Sequence, residues 1–281
     1  MANELTLYFI RSPHGINWES GTTLARSIIR NYITFEPNFM GHVNIEIKCD
    51  QDKNPDETVL TGMIARKLNA VDLLFRHDIG MGILFHSFEG HLETRRELLE
   101  KVQNYLVDGD RINFVTFKIS AEACTRLKKY HKEYKENGYE KRYGLYNRPL
   151  YKEGSGCSAF GASFLELIGL LDEDMKKNWT YSVKIPFKYI GLPLIKQKVS
   201  FLNLLWGNNY WASESEPHKE IFFWDPDKMY QWVKAKYENP GQYQRVKKEN
   251  SIGLYVDLSQ IPTPKKDIWL RDTRPLPEWK F

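Results

Sequence analysis

The clearest pattern along the chain is the alternation of Gly41-His42-Val43-Asn44-Ile45-Glu46-Ile47. Val43, Ile45 and Ile47 fall to one side, and His42, Asn44 and Glu46 to the other. That period of two predicts a half-buried strand with one polar face. Before it, Leu5–Ile10 reads as a short strand closed by the turn-forming Ser12-Pro13-His14-Gly15. Thr22 or Thr23 then caps a helix carrying Leu24, Ile28 and Ile29 on one face. After the polar loop 50–56, Thr58–Met63 reads as a return strand forming a hairpin with the first. Gly82–Phe88 is a further strand candidate, with His86 inside it. Helical spacing of Leu98, Leu99, Val102 and Leu106 predicts a helix over Thr94–Val107, followed by a strand at Ile112–Ile119. Ser120 caps a helix whose stripe is Ala121, Cys124, Leu127, His131 and Tyr134, ended by Gly138. A loop rich in Tyr, Gly and Lys then delivers the chain to Cys157. From there Phe160, Phe164, Leu167, Ile168 and Leu171 mark a strongly amphipathic helix with Cys157 in its first turn.

Beyond about Asn178 the periodicity fades. Residues 201–281 hold six of the eight Trp and seven of the thirteen Pro, and Asp227–Tyr237 is their best helix. This predicts an aromatic segment that wraps the core or forms a small appended unit. The chain has 281 residues, which fits one large domain or two modest ones. With 40 Lys and Arg against 36 Asp and Glu, the excess of positive charge is small. Lys247-Lys248 and Lys265-Lys266 lie among acids and read as solvated loops, so no nucleic-acid partner is expected. Cys49, Cys124 and Cys157 form no CxxC pair, which argues against a structural zinc site. A chain of this size seldom needs a disulfide framework, so none is expected. Cys124 reads as core and Cys49 as incidental. Leu5–Ile10 is the longest apolar run near the start, too short for a secretory leader or a membrane span. A soluble, cytoplasmic chain is the default expectation.

Candidate chemistry gathers on two residues. A thiol at a helix N-terminus feels the positive end of the macrodipole, which favours the thiolate. Cys157 has that position, behind Gly154-Ser155-Gly156, and these small residues let a substrate approach the backbone closely. The Cys157 N–H in the first turn is a natural oxyanion donor. His42, on the polar face of its strand, supplies an imidazole to take and return a proton. Tyr143, Tyr146 and Tyr151, in the loop before Cys157, are candidates for an oxyanion hydroxyl or a cleft wall. Tyr146, Ser155 and Gly156 are the expected substrate contacts. Asn44 and Glu46 read as a solvated strand face, His131 as a packing residue, and Asp225 and Asp227 as turn and cap residues. Ser155 and Ser158 lack a nucleophile elbow, and neither an HExxH motif nor a phosphate-cradling glycine loop is present.

Gly-His-Val-x-Ile-x-Ile followed by a hairpin, and much later Gly-x-Gly-Cys-Ser opening an apolar helix, resembles the circularly permuted NlpC-type papain-like proteins. These include the lecithin:retinol acyltransferase group and bacterial relatives. In the permuted members the His strand precedes the Cys helix, as here. The resemblance covers roughly residues 1–190. It implies an α+β fold, with an antiparallel sheet packed against the nucleophile helix, Cys157 as nucleophile and His42 as general base. Residues 1–190 would be the catalytic domain and 191–281 an irregular, aromatic-rich extension. The family's third polar residue sits on the strand after the His strand. The hairpin register carries that position to Thr61, with His86 as competitor. The implied activity is hydrolysis or acyl transfer at an amide or ester, with a peptide, glycopeptide or acyl-lipid substrate and no metal or organic cofactor. A non-catalytic binding module of the same fold is the alternative, supported by the weakness of a Thr hydroxyl as orienter.

Overall fold

The computed structural model describes residues 2–35, 38–66, 77–192 and 194–271. Strand β1 (Glu4–Ile10) takes the centre of the main sheet because almost all of its side chains, on both faces, are buried. It pairs antiparallel with β2 (His42–Lys48) on one side and β5 (Ile112–Lys118) on the other, with Leu7 opposite Ile45 and Val115. Outward from β2 come β3 (Val59–Ala65), β4 (Phe88–Leu92) and the short β6 (Arg142–Tyr143), all antiparallel. Outward from β5 come β10 (Ser251–Asp257) and β9 (Gln244–Lys248). The β5–β10 pair is parallel, so this eight-stranded sheet is mixed where a small antiparallel one was expected.

Helices cover both faces. Leu5, Leu7, Phe9, Val43, Ile45 and Ile47 pack against α3 (Ala121–Glu136) and α4 (Cys157–Leu167). Gly161 lets α4 lie close to the sheet: a Cβ there would stand 2.7 Å from Val43 Cγ1. On the opposite face Leu98, Val102 and Leu106 of α2 (Arg95–Asp108) cover Tyr8, Ile10, Leu60 and Phe114. A second apolar cluster joins α1 (Gly21–Tyr32) to the antiparallel ribbon of β7 (Thr180–Pro186) and β8 (His218–Trp224). The other α-helices among the described residues are α5 (Glu173–Trp179), α6 (Phe201–Leu205) and α7 (Pro226–Glu238).

Several sequence expectations change. Gly82–Phe88 is not a strand: Met81–Phe85 is a 3-10 helix and β4 begins at Phe88. The segment after residue 190 is more regular than expected, since it supplies β8 to the ribbon and β9 and β10 to the main sheet. Pro193 and residues 272–281 of that segment lie outside the described residues. Cys49 and Cys124 are joined in a disulfide within the core, contrary to the expectation of none. Cys49 follows the end of β2 and Cys124 lies on the buried stripe of α3 packed against that strand. Chain length argued about the need for a bridge; proximity in the fold decides whether one can form. Among the described residues no helix is long and apolar enough to cross a membrane.

Candidate active site

Cys157 opens α4 directly after Gly156, the N-cap residue, whose side chain is absent and cannot satisfy the first-turn N–H groups. It is the free cysteine of the chain, and it is buried. His42 opens β2, is 3% exposed, and lines one cavity with Cys157. His42 Nε2 lies 2.7 Å from Glu93 Oε2. A carboxylate only accepts, so Nε2 carries the proton and Nδ1 is left for exchange with the thiol.

Glu93 is the residue that sequence reasoning missed. It follows β4 and is clamped to β3 at both ends of its backbone. Its N–H donates to the Gly62 carbonyl at 2.8 Å, and its carbonyl accepts from Thr61 Oγ1 at 2.7 Å. Its carboxylate also accepts from Lys101 Nζ at 3.1 Å and from Asn44 Nδ2 at 3.3 Å. Gly62 makes the space for this arrangement: a Cβ there would meet His42 Nε2 and Glu93 Oε2 at 2.9 Å each, and the Asn44 amide closer still.

The charges follow from these contacts. Burial pushes the Glu93 carboxyl up, but His42 and Lys101 outweigh it and hold the group down at about 2. Burial alone lowers the His42 pKa, yet Glu93 and the Cys157 sulfur raise it to about 9. For Cys157 burial raises the pKa, and His42, Ser158 and Tyr143 bring it below the ordinary thiol value, to about 7. A carboxylate, an imidazolium and a thiolate therefore succeed one another. Tyr143 OH donates to Cys157 Sγ at 3.7 Å. Burial raises its own pKa well above the phenol range, so it stays a neutral donor.

Thr61 is thus brought to the site but does not touch His42; it holds Glu93. His86 is not the orienter either. It lines the same cavity, its ring stands edge-on to Phe88 at 4.5 Å, and burial lowers its pKa to about 4. Gly156 borders the cavity. Ser155 is fully buried, with its hydroxyl donating to the Gly156 carbonyl at 2.7 Å. Tyr146 packs on Phe85 at 5.3 Å. Asn44 and Glu46 are buried under the α2 side of the sheet and not solvated; Glu46 accepts from Tyr8 OH at 2.9 Å. Asp225 caps α7 as expected and also borders the cavity, accepting from Trp18 Nε1 at 3.1 Å. Asp227 accepts from the backbone N–H groups of Ser12 and Ile16, at 2.6 and 3.1 Å.

The cavity measures about 240 Å³. Its walls are mostly apolar, with Trp18, Ile28, Ile64, Leu84, Phe88 and Leu145 among them. Among the described residues no group of three or more His, Cys, Asp or Glu is placed to hold a metal ion. Compared with protein-family profiles, curated proteins and solved structures, the chain has no match in any of the three.

Proposed function

We propose that this chain is a cysteine-dependent acyl-transfer enzyme of permuted papain-like fold, a hydrolase or acyltransferase acting on an amide or ester with an apolar acyl part. The observation that carries the reading is the 2.7 Å contact between His42 and Glu93 beside a thiol held near pKa 7. The order of elements supports the fold assignment: the His strand precedes the Cys helix, and that helix lies on the sheet.

In the reaction, the Cys157 thiolate attacks the carbonyl carbon. Negative charge on the carbonyl oxygen is met by the Cys157 N–H at the start of α4 and by the Tyr143 hydroxyl, 3.7 Å from the sulfur. His42 gives its Nδ1 proton to the leaving amine or alcohol as the tetrahedral adduct collapses to a thioester. An incoming water or alcohol then loses its proton to His42 and releases the acyl group. Glu93 keeps the imidazole oriented and stabilises its charged form throughout. The apolar walls suit a hydrocarbon acyl portion and exclude water from the thioester.

The rival reading, a non-catalytic module, rested on a weak orienter; a carboxylate in that place removes its support. The experiment is mass spectrometry of the intact chain mixed with p-nitrophenyl esters of increasing acyl length. An adduct of acyl mass on Cys157, lost in Cys157→Ala and faster with longer chains, is expected. No adduct with any ester or activated amide would overturn the reading.

A further inference from the structure

Large apolar side chains are exposed on two segments whose inner faces belong to the second cluster, α1 and the stretch from α6 to Tyr210. At the C-terminal end of α1 these are Ile33, 61% exposed, and Phe35, 87% exposed. Along α6 and just after it they are Leu202, Trp206, 74% exposed, and Tyr210. The two sets belong to one surface, because α1 and α6 run side by side. Arg26 Nε donates to the Leu205 carbonyl at 2.9 Å and Thr22 Oγ1 to that of Gly207 at 3.1 Å. As α1 advances its partners in the other segment move backwards, which sets Leu202 towards the end of α1 that carries Ile33. A soluble surface seldom gathers this much exposed apolar area without a use for it.

The charge within these two segments is basic. α1 contains Arg26 and Arg30 and no acidic residue, although Glu19 and Glu36 flank it in sequence. Residues 194–212 contain Lys196 and Lys198, and the chain carries no Asp or Glu between Asp174 and Glu214.

We propose that this face docks on an anionic lipid bilayer, with Ile33, Phe35, Leu202 and Trp206 entering the headgroup boundary and the four cations meeting lipid phosphates and carboxylates. Trp and Tyr beside Arg and Lys is the composition that a membrane interface rewards. A second copy of the chain is the poorer occupant, since a two-fold contact would bring the cations against themselves. The face also adjoins the cavity: Tyr32, at the end of α1, stacks edge-on with Phe39 at 5.6 Å, and Phe39 and Ile28 line the cavity wall. Docking there would present the Cys157 cavity to acyl groups held in the leaflet.

The inference goes beyond the thiol chemistry and does not depend on it. The test is co-flotation of the full chain with vesicles of phosphatidylcholine, with and without phosphatidylserine. Binding is expected only to the anionic vesicles, weakening with added salt, and Cys157→Ala should float like the native chain. Arg30→Gln with Lys198→Gln should weaken binding about thirtyfold, at about 1 kcal/mol per cation near an anionic leaflet. Phe35→Ser with Trp206→Ser should weaken it by more than about tenfold. All four side chains are exposed, so far-UV circular dichroism and Cys157 alkylation rate should not change in either pair. Absence of flotation, or flotation that neither pair weakens, overturns the proposal. So does a concentration-dependent dimer, or capture of an acidic protein, that the same substitutions abolish while vesicles stay unbound.

Discussion

Glu93→Gln isolates the charge of the carboxylate from its shape. The carboxamide oxygen can still accept from His42 Nε2, but the buried imidazolium loses its counter-charge. His42 is 3% exposed, and burial alone lowers its pKa, so it becomes neutral near pH 7. The Cys157 thiol then loses the cation that lowers its pKa to about 7 and returns to about 9 or above. At pH 7 the thiolate fraction falls from about one half to about one in a hundred, a fiftyfold loss. The remaining thiolate is more basic and more nucleophilic, by about six- to tenfold over two pKa units. The net expectation is alkylation by iodoacetamide about five- to eightfold slower at pH 7. Above both pKa values the order reverses, and the variant reacts about six- to tenfold faster than the native chain. The second-order rate is read against pH by peptide mass mapping, without reductant, since Cys49 and Cys124 are bonded to each other and Cys157 is free. A loosened site would speed or slow the reaction at every pH, whereas the crossing of the two curves is particular to charge. A variant whose midpoint stays near 7, or whose curve never crosses the native one, refutes the role given to Glu93.

Gly62→Ala places a methyl against His42, Glu93 and Asn44; overpacking should cost about 1–3 kcal/mol in urea unfolding and move the Cys157 midpoint towards 9. A stable variant with native alkylation would mean that the gap at Gly62 does not hold the pair together. Tyr143→Phe removes a hydroxyl 3.7 Å from the sulfur; kcat on a chromogenic ester should drop about a hundredfold while iodoacetamide still labels Cys157. Equal losses in both reactions would confine Tyr143 to the proton balance of the thiol. An unreduced peptide map should contain Cys49 and Cys124 in one linked species. Replacing both by Ser should lower stability by up to about 4 kcal/mol, as expected for a bridge closing a sequence separation of 75. Melting that is the same with and without reductant would contradict this.

The parts of the fold that were legible carry a local signal. The alternation in β2 survives as its burial against α4, and the stripes of α2 and α3 survive as buried Leu98, Val102 and Leu106, and Cys124, Leu127 and Tyr134. Gly82–Phe88 failed because a short apolar run has no period to separate a strand from one tight helical turn. The parallel pairing of β10 with β5 has no signal in either strand alone, since it joins Gly253 to Phe114 across the chain. β9, with Gln244, Arg245, Lys247 and Lys248, reads as a charged loop because it is an edge strand, where such residues deter further pairing.

The site divides the same way. Cys157 after small residues at a helix start, and His42 at the head of an alternating strand, each announce themselves locally. Glu93 does not, because its neighbours read as the approach to a helix: Thr94 caps α2 and Glu97 completes the capping box. Seeking the orienter on the strand next to His42 led to the right place in β3 and to the wrong function for it. Position 62, opposite Asn44, is a glycine, and a strand glycine commonly marks the close approach of another group. Here that group comes from the end of the next strand, reaching over Gly62 to the imidazole while Thr61 and Gly62 hold its backbone. The consequence for the chemistry is a change of charge and not only of identity. A Thr hydroxyl would leave a buried His42 neutral and the thiol protonated, whereas a carboxylate fixed in that gap makes the ion pair the resting state near neutral pH. The glycine in β3 is therefore as much a part of the site as the carboxylate it admits.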